Sequence, residues 1–275
     1  MAGEKSANVP QWLEDCLETA SSIVNDPTPV TVSGRLSLGI DLGTSDVVSM
    51  VLDENRMPVA VCLEWADVVR DGVVFNYFGA TNIVRKQLAA IQEKTGIAFT
   101  EANTSYPPGT DPRISVNVLE SAGLSVAAVI DEPSAVAHLL ELDKAAVVDI
   151  GGGTTGIAVL RNRKVVYSGD EPTGGHHVTL TIAGNNGSSL EEAEELKRSD
   201  GTAVWPIVKP VFEKMADIAR LHLKGHKVKT LFLSGGTCML PGVRDLFQQE
   251  FSDYAVALPN NSIFLTPLAI AAYRD

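Results

Sequence analysis

The sequence predicts an α/β fold of two similar lobes around a central cleft, and three observations predict it. The first is a pair of aspartate-led glycine turns far apart in the chain. These are Leu38-Gly39-Ile40-Asp41-Leu42-Gly43-Thr44-Ser45 and Val147-Val148-Asp149-Ile150-Gly151-Gly152-Gly153-Thr154-Thr155-Gly156. Each reads as an apolar strand that ends on one carboxylate and runs into a tight Gly/Thr hairpin. The second is the order of elements around them: hairpin, helices and strand, then hairpin, helices and strand again. The third is Leu231-Phe232-Leu233-Ser234-Gly235-Gly236, a strand entering a Gly-Gly pair ahead of a helix.

Taken in order, residues 10–24 read as a helix, because Leu13, Leu17, Ala20 and Val24 recur on one face. The Pro/Thr/Ser-rich stretch 25–34 reads as a linker. The helix either packs on the body or serves as a detachable docking peptide. Both placements are open at this point. Short apolar runs at 36–42, 46–53 and 59–63 form a meander of strands. A helix is expected over 78–94, a strand over 100–105, a helix over 113–122, a strand over 126–130 and a helix over 133–142. Pro133 suits a first helical turn, where its missing N–H costs nothing. A second meander covers 145–160 and 165–168, with His176 and His177 expected in strand. Helices follow at 190–197 and 206–223, a strand at 230–234, a helix at 243–250, a strand at 256–258 and a last helix at 267–273. This gives an N-terminal helix and linker over 1–33, a lobe I over 35–146 plus 262–275, and a lobe II over 147–261.

Composition limits the function. The 275 residues are 45% hydrophobic and 20% charged, enough for one large or two modest cores. A net charge of −12 repels a phosphate backbone, which argues against nucleic acid or an anionic membrane as partner. Three widely spaced cysteines without a C-x-x-C pattern point to reduced thiols and a cytoplasmic setting.

The turns carry the chemistry. Glycine lets backbone N–H groups approach an anion with no Cβ in the way. Thr44, Ser45, Thr154 and Thr155 add hydroxyl donors. Asp41 and Asp149 follow apolar residues and would be costly if buried unpaired. A hydrated Mg²⁺ would satisfy both. Either turn alone is most often a sharp hairpin with a structural aspartate; the two together, in this order, point to a nucleotide cleft.

The three glycine segments resemble, in order, the phosphate 1, phosphate 2 and adenosine motifs of the actin, Hsp70 and sugar-kinase ATPase superfamily. Asp131-Glu132-Pro133-Ser134-Ala135-Val136-Ala137 and Thr266-Pro267-Leu268-Ala269-Ile270-Ala271-Ala272 resemble its two connecting helices. A nearer resemblance, through Pro107-Pro108-Gly109-Thr110-Asp111-Pro112-Arg113 and Thr173-Gly174-Gly175-His176-His177, is to the ethanolamine-utilisation J family, described as Hsp70-like chaperones. The resemblance implies two ribonuclease H-like lobes and Mg-ATP as ligand. It implies that Asp41 and Asp149 position waters on Mg²⁺. Gly43, Thr44 and Ser45 would cradle the β-phosphate, Gly151, Gly152, Gly153 and Thr154 the γ-phosphate. Glu132 would order the attacking water, Gly235 and Gly236 flank the adenosine, and Glu194 and Lys197 contact ribose and adenine.

The sequence departs from that pattern in two places. Asp46 adds a carboxylate beside the first turn, which opposes phosphate unless Mg²⁺ or a basic residue offsets it. The cleft lysine of Hsp70 has no clear match, with Lys86 and Arg70 as candidates. Three activities follow as expectations. One is an ATP-dependent chaperone or reactivation factor for ethanolamine ammonia-lyase or a microcompartment shell. The others are an actin-like scaffold or filament with little hydrolysis, and a small-molecule kinase, for which no acceptor pocket is evident.

Overall fold

The computed structural model describes residues 7–70 and 73–274. The side chain of Arg70, one sequence candidate for a cleft cation, lies outside the described residues, as do 1–6 and 275 at the ends of the expected segments. The chain begins with α1 (Gln11–Ile23) and continues through β1 (Ser37–Leu42), β2 (Asp46–Leu52), β3 (Pro58–Trp65), β4 (Val69–Arg70) and β5 (Val73–Val74). Next come α2 (Tyr77–Thr95), β6 (Glu101–Tyr106), α3 (Arg113–Ala122), β7 (Ser125–Asp131) and α4 (Glu132–Leu139). The second half holds β8 (Ala145–Ile150), β9 (Thr155–Arg161), β10 (Lys164–Glu171), α5 (Gly175–Asn186), α6 (Leu190–Ser199) and α7 (Gly201–Leu223). It closes with β11 (Thr230–Ser234), α8 (Val243–Glu250), β12 (Ala255–Ala257) and α9 (Leu265–Ala272).

Two five-stranded sheets share one plan. The first runs β3-β2-β1-β6-β7 and the second β10-β9-β8-β11-β12. In each, an antiparallel meander supplies three strands and two parallel strands extend the other side. We call the sheets, with the helices packed on them, lobe I and lobe II. The parallel strands need helical crossovers, which α2, α3 and α5–α8 provide. The central strands β8 and β9 are apolar and almost wholly buried, as sheets covered on both faces require.

Three cores result. Phe212, Phe247 and Met215 centre the lobe II core, and Ile40, Val84 and Leu119 the outer core of lobe I. Between the lobes, α4 and α9 join β2 and α1 around Leu17, Met50 and Leu268. The approach of α9 to β1 is so close that a Cβ on Gly39 would lie 2.6 Å from Ala271 Cα. Asn103 on β6 donates to the carbonyls of Ile270 and Tyr273 at 2.9 and 2.8 Å, and so fixes the end of α9.

Of the two placements open for the N-terminal helix, the structure has it packed on the body. Leu13, Cys16, Leu17 and Ala20 are buried. Val24 bridges Val61, and Asn25 pairs with the backbone of Leu63 through both side-chain atoms, at 2.8 and 2.9 Å. The stretch after it is held by buried Lys94, which meets the Asp26 carboxylate at 2.9 Å and lowers its pKa to about 2.

Two expectations need correction. His176 and His177 sit in the first turn of α5, not in strand. Val178, Leu180 and Ile182 alternate as a strand would, but Leu180 is exposed while Val178, Ile182 and Ala183 form the buried helical face. Helix α7 starts at Gly201, five residues before Pro206, because the Asp200 side chain accepts from Ala203 N at 3.0 Å and caps it. All three cysteines are free, and two of them are buried.

Candidate functional site

The equivalent positions of the two sheets face one another. Asp41 and Asp149 each sit one residue from the end of their strands, β1 and β8, so the shared plan brings both carboxylates to the inner edges of the lobes. Between them opens a cavity of about 780 Å³. It is lined by Asp41, Gly43, Thr44, Ser45, Glu132, Asp149, Gly151, Gly152, Gly153, Thr154, Glu194, Lys197, Gly235 and Gly236. Thr155, expected as a further hydroxyl donor, is instead fully buried and donates to Thr173 O at 2.7 Å.

The two phosphate-type turns abut. A Cβ on Gly153 would lie 2.6 Å from Thr44 Oγ1, and one on Gly152 would collide with Ser45 Oγ. Glycine at both positions is therefore a steric requirement of the closed turns. The second turn is braced by three backbone bonds: Gly151 N to Thr154 O at 3.0 Å, Gly175 N to Gly151 O at 2.9 Å and His176 N to Gly152 O at 2.7 Å. Thr237 Oγ1 donates to Gly151 O at 2.8 Å, which ties the third glycine loop to the second.

The carboxylates are buried with neutral partners. Ser105 donates to Asp41 at 3.0 Å and Thr266, from α9, donates to Asp149 at 2.6 Å. Burial raises Asp41 to about 7, with Asp46 and Asp149 adding repulsion. Burial raises Asp149 to about 6 against the Thr266 bond. Glu132, the first residue of α4, is pushed well up by burial and by Asp41, Asp149, Asp170 and Asp131. Asp46 rises to about 6 through burial, although the Arg198 cation pulls the other way.

Helix α6 supplies the opposite wall. Lys197 Nζ meets Glu194 Oε2 at 2.6 Å, Thr179 Oγ1 at 3.0 Å and Gly175 O at 3.3 Å. Burial depresses Lys197, with Glu194 opposing. Glu194 is held low despite its burial by Lys197, Thr179 and Arg198. Beyond them Met239, Leu240, Pro241 and Ile263 give the cavity an apolar end, suited to a flat heteroaromatic ring. Lys86 is not part of the site: it is 71% exposed and pairs with Glu64 at 2.6 Å.

Residues 146–269 match the family model of the cell division protein FtsA. Over 262 residues the chain is 59% identical to the ethanolamine utilization protein EutJ of Escherichia coli strain K12, covering 95% of this chain and 94% of the relative. The chain belongs to the EutJ family. The crystal structure of EutJ from Carboxydothermus hydrogenoformans superposes with a TM-score of 0.89 at 37% identity, over 96% of this chain and 99% of that one. MreB5 of Spiroplasma citri bound to AMPPNP superposes at 0.69 and 16% identity, over 86% and 95%. The EutJ-family fold is thus that of the actin-like ATPases.

Sequence reasoning missed four parts of this EutJ-family cleft. Asn25 reaches it from the N-terminal segment, and Thr266 reaches Asp149 from the last helix. Trp65 and Arg198 meet across it, with the guanidinium carbon 3.7 Å from the ring centroid. Arg198 follows Lys197 directly, so the charged run was visible, but which lobe it faced was not. The donor set fits a hydrated divalent cation. Among the described residues Asp41 and Asp149 each have one hydroxyl as side-chain partner, and the repulsion that Asp149 exerts on Asp41 is what a cation would relieve. Among the described residues no three His, Cys, Asp or Glu side chains converge as direct metal ligands.

Proposed function

We propose that the chain is a Mg-dependent ATP-binding protein that serves ethanolamine utilisation as a chaperone or reactivation factor. Its client would be ethanolamine ammonia-lyase or a microcompartment shell protein. The observation that carries the nucleotide reading is the convergence of three glycine turns, the buried carboxylates Asp41 and Asp149 and the half-buried Glu132 on one cavity of about 780 Å³. The pathway rests on the names of the relatives.

In this reading Gly43, Thr44 and Ser45 donate to the β-phosphate and Gly151, Gly152, Gly153 and Thr154 to the γ-phosphate. Gly235 and Gly236 flank the adenosine at the apolar end, and Glu194 with Lys197 faces ribose and base. Magnesium, held through waters on Asp41 and Asp149, supplies charge neutralisation at the phosphates. Glu132, whose carboxyl is pushed well up by burial and then by Asp41, Asp149, Asp170 and Asp131, would order the attacking water by accepting a hydrogen bond from it. The protein works in the cytoplasm against the microcompartment. Among the described residues no helix is long and apolar enough to cross a membrane.

Calorimetric titration of ATP and ADP, with and without Mg²⁺, tests the nucleotide reading. The intact chain should bind both with Mg²⁺, and Asp149→Ala should lose at least tenfold in affinity, about 1.4 kcal/mol. No heat from either nucleotide would sink it. The client reading requires that ATP alter the aggregation of the lyase or the exchange of its damaged cobalamin. A nucleotide-dependent scaffold is a second reading, favoured by the exposed run of Phe75, Tyr77 and Phe78 around the start of α2. Sedimentation with ATP at high protein concentration separates the two.

A further inference from the structure

We propose that Arg198 of lobe II and Trp65 of lobe I form a latch across the cleft, and that its opening sets the rate of nucleotide exchange. The inference rests on the nucleotide reading above and adds its regulation. Both residues line the cavity and both are partly exposed, which puts their contact at its rim. Trp65 ends β3 in the lobe I sheet, and Arg198 sits near the end of α6. The guanidinium carbon lies 3.7 Å from the indole centroid, close enough for a cation–π interaction.

The two partners are aimed rather than loose. Arg198 Nε donates to Glu194 Oε1 at 2.9 Å, while the other oxygen of Glu194 holds Lys197. The arginine is therefore anchored to the α6 wall of the pocket itself. On lobe I, Trp65 is the direct ladder partner of Asp46, the carboxylate beside the first phosphate-type turn. The cation of Arg198 acts on Asp46 against its burial. One arginine thus links the lobes and offsets the charge that otherwise opposes phosphate at that turn. The lobes are joined at their base by α4 and α9, so a weak contact at the rim acts with a long lever on opening. Arg198 is a positioning residue in this account, acting through closure and charge.

The test uses the full chain loaded with a fluorescent ADP analogue and Mg²⁺, then chased with unlabelled ADP. Arg198→Ala and Trp65→Ala should each release the analogue about tenfold faster. Arg198→Lys should release it at an intermediate rate, because a point charge retains part of the ring contact. The double variant should be no faster than either single one. Unchanged release in the single variants, or rates that multiply in the double one, would overturn the latch. A second arm needs no nucleotide: acrylamide quenching of Trp65, taken as the difference from Trp65→Phe, should rise in ligand-free Arg198→Ala. Equal quenching overturns the contact. Failure of the wild-type chain to bind the analogue ends the exchange claim together with the nucleotide reading, while the quenching arm still decides the contact.

Discussion

At Gly235 the backbone takes φ +93° and ψ 154°, a region that essentially only glycine occupies. A Cβ there would also press on Asp149 Oδ1 at 2.5 Å and collide with Ile150 O. Gly235→Ala is therefore expected to cost about 1–3 kcal/mol in backbone strain alone, and to displace Asp149 as well. Thermal unfolding should show a lowered Tm, and nucleotide affinity should fall further than the Tm shift explains. Gly152→Ala separates the two effects. Its φ lies outside the left-handed region, so no backbone strain is added, but a Cβ there would lie 2.8 Å from Ser45 Cβ and wedge the two turns apart. The expected outcome is a fall in Tm from the overlap without the backbone strain, with nucleotide affinity reduced at least tenfold, read by calorimetry. The carboxylates give a pH signature. Asp41, Asp46 and Asp149 have folded pKa values raised from 3.8 to about 7, 6 and 6. The folded state then binds more protons than the unfolded one between those limits. Their contribution is present at low pH and is lost as pH rises through 6 to 7. Ligand-free protein should lose Tm from pH 5.5 to 7.5, and Asp149→Asn should flatten that slope. Mg-ADP should protect more at pH 7.5 than at 5.5, because it favours the ionised forms.

Helix α1 shows what periodicity gives and what it withholds. The spacing of Leu13, Leu17 and Ala20 marks a buried stripe, and those side chains are buried. Spacing alone does not say whether the stripe meets this chain or another one. The answer lies in distant polar contacts: Glu14 accepts from Asn260 N at 3.2 Å, and Asn25 is stitched to Leu63. The glycine turns and their strands were legible because their chemistry is local, with aspartate, glycine and threonine in a short run. Helix α5 was not, since its apolar residues alternate and its two leading glycines read as loop. Its helical form is decided by the lobe II core, into which Val178 and Ile182 pack. The rim contact of Trp65 with Arg198 was illegible for the same reason: 133 residues separate the partners, and only the tertiary arrangement aims them. A consequence follows for α1. Leu17→Ala should cost about 2–5 kcal/mol, the usual range for a buried leucine, read as a fall in denaturant midpoint. Deletion of residues 1–33 should expose the central core and remove Asn25 from the cleft. The truncated chain should then aggregate or lose nucleotide affinity, rather than survive as a soluble, fully active body.

The shared sheet plan makes the molecule a pair of jaws whose cavity is lined from both halves, more heavily from lobe II. Lobe I supplies Asp41 and Thr44, lobe II supplies Asp149 and Gly153, and α9 crosses to give Thr266 to Asp149. A ligand bound there must stabilise both lobes together, because it binds neither half alone with the same contacts. At a free ligand concentration one hundred times Kd, the gain is about 2.7 kcal/mol. For a chain of this size that corresponds to a rise of about 5–10 °C in Tm. Hydrogen exchange should locate the gain on both sides of the cleft at once. Slowing is expected at residues 42–46, 151–156 and 235–238, and in α4 and α9 between the lobes. Asp149→Ala should lose the slowing in the lobe I turn as well as in its own lobe, although that turn is untouched by the substitution. Protection confined to one lobe would mean that the cavity is not closed by its ligand, and that the two halves do not act as one device.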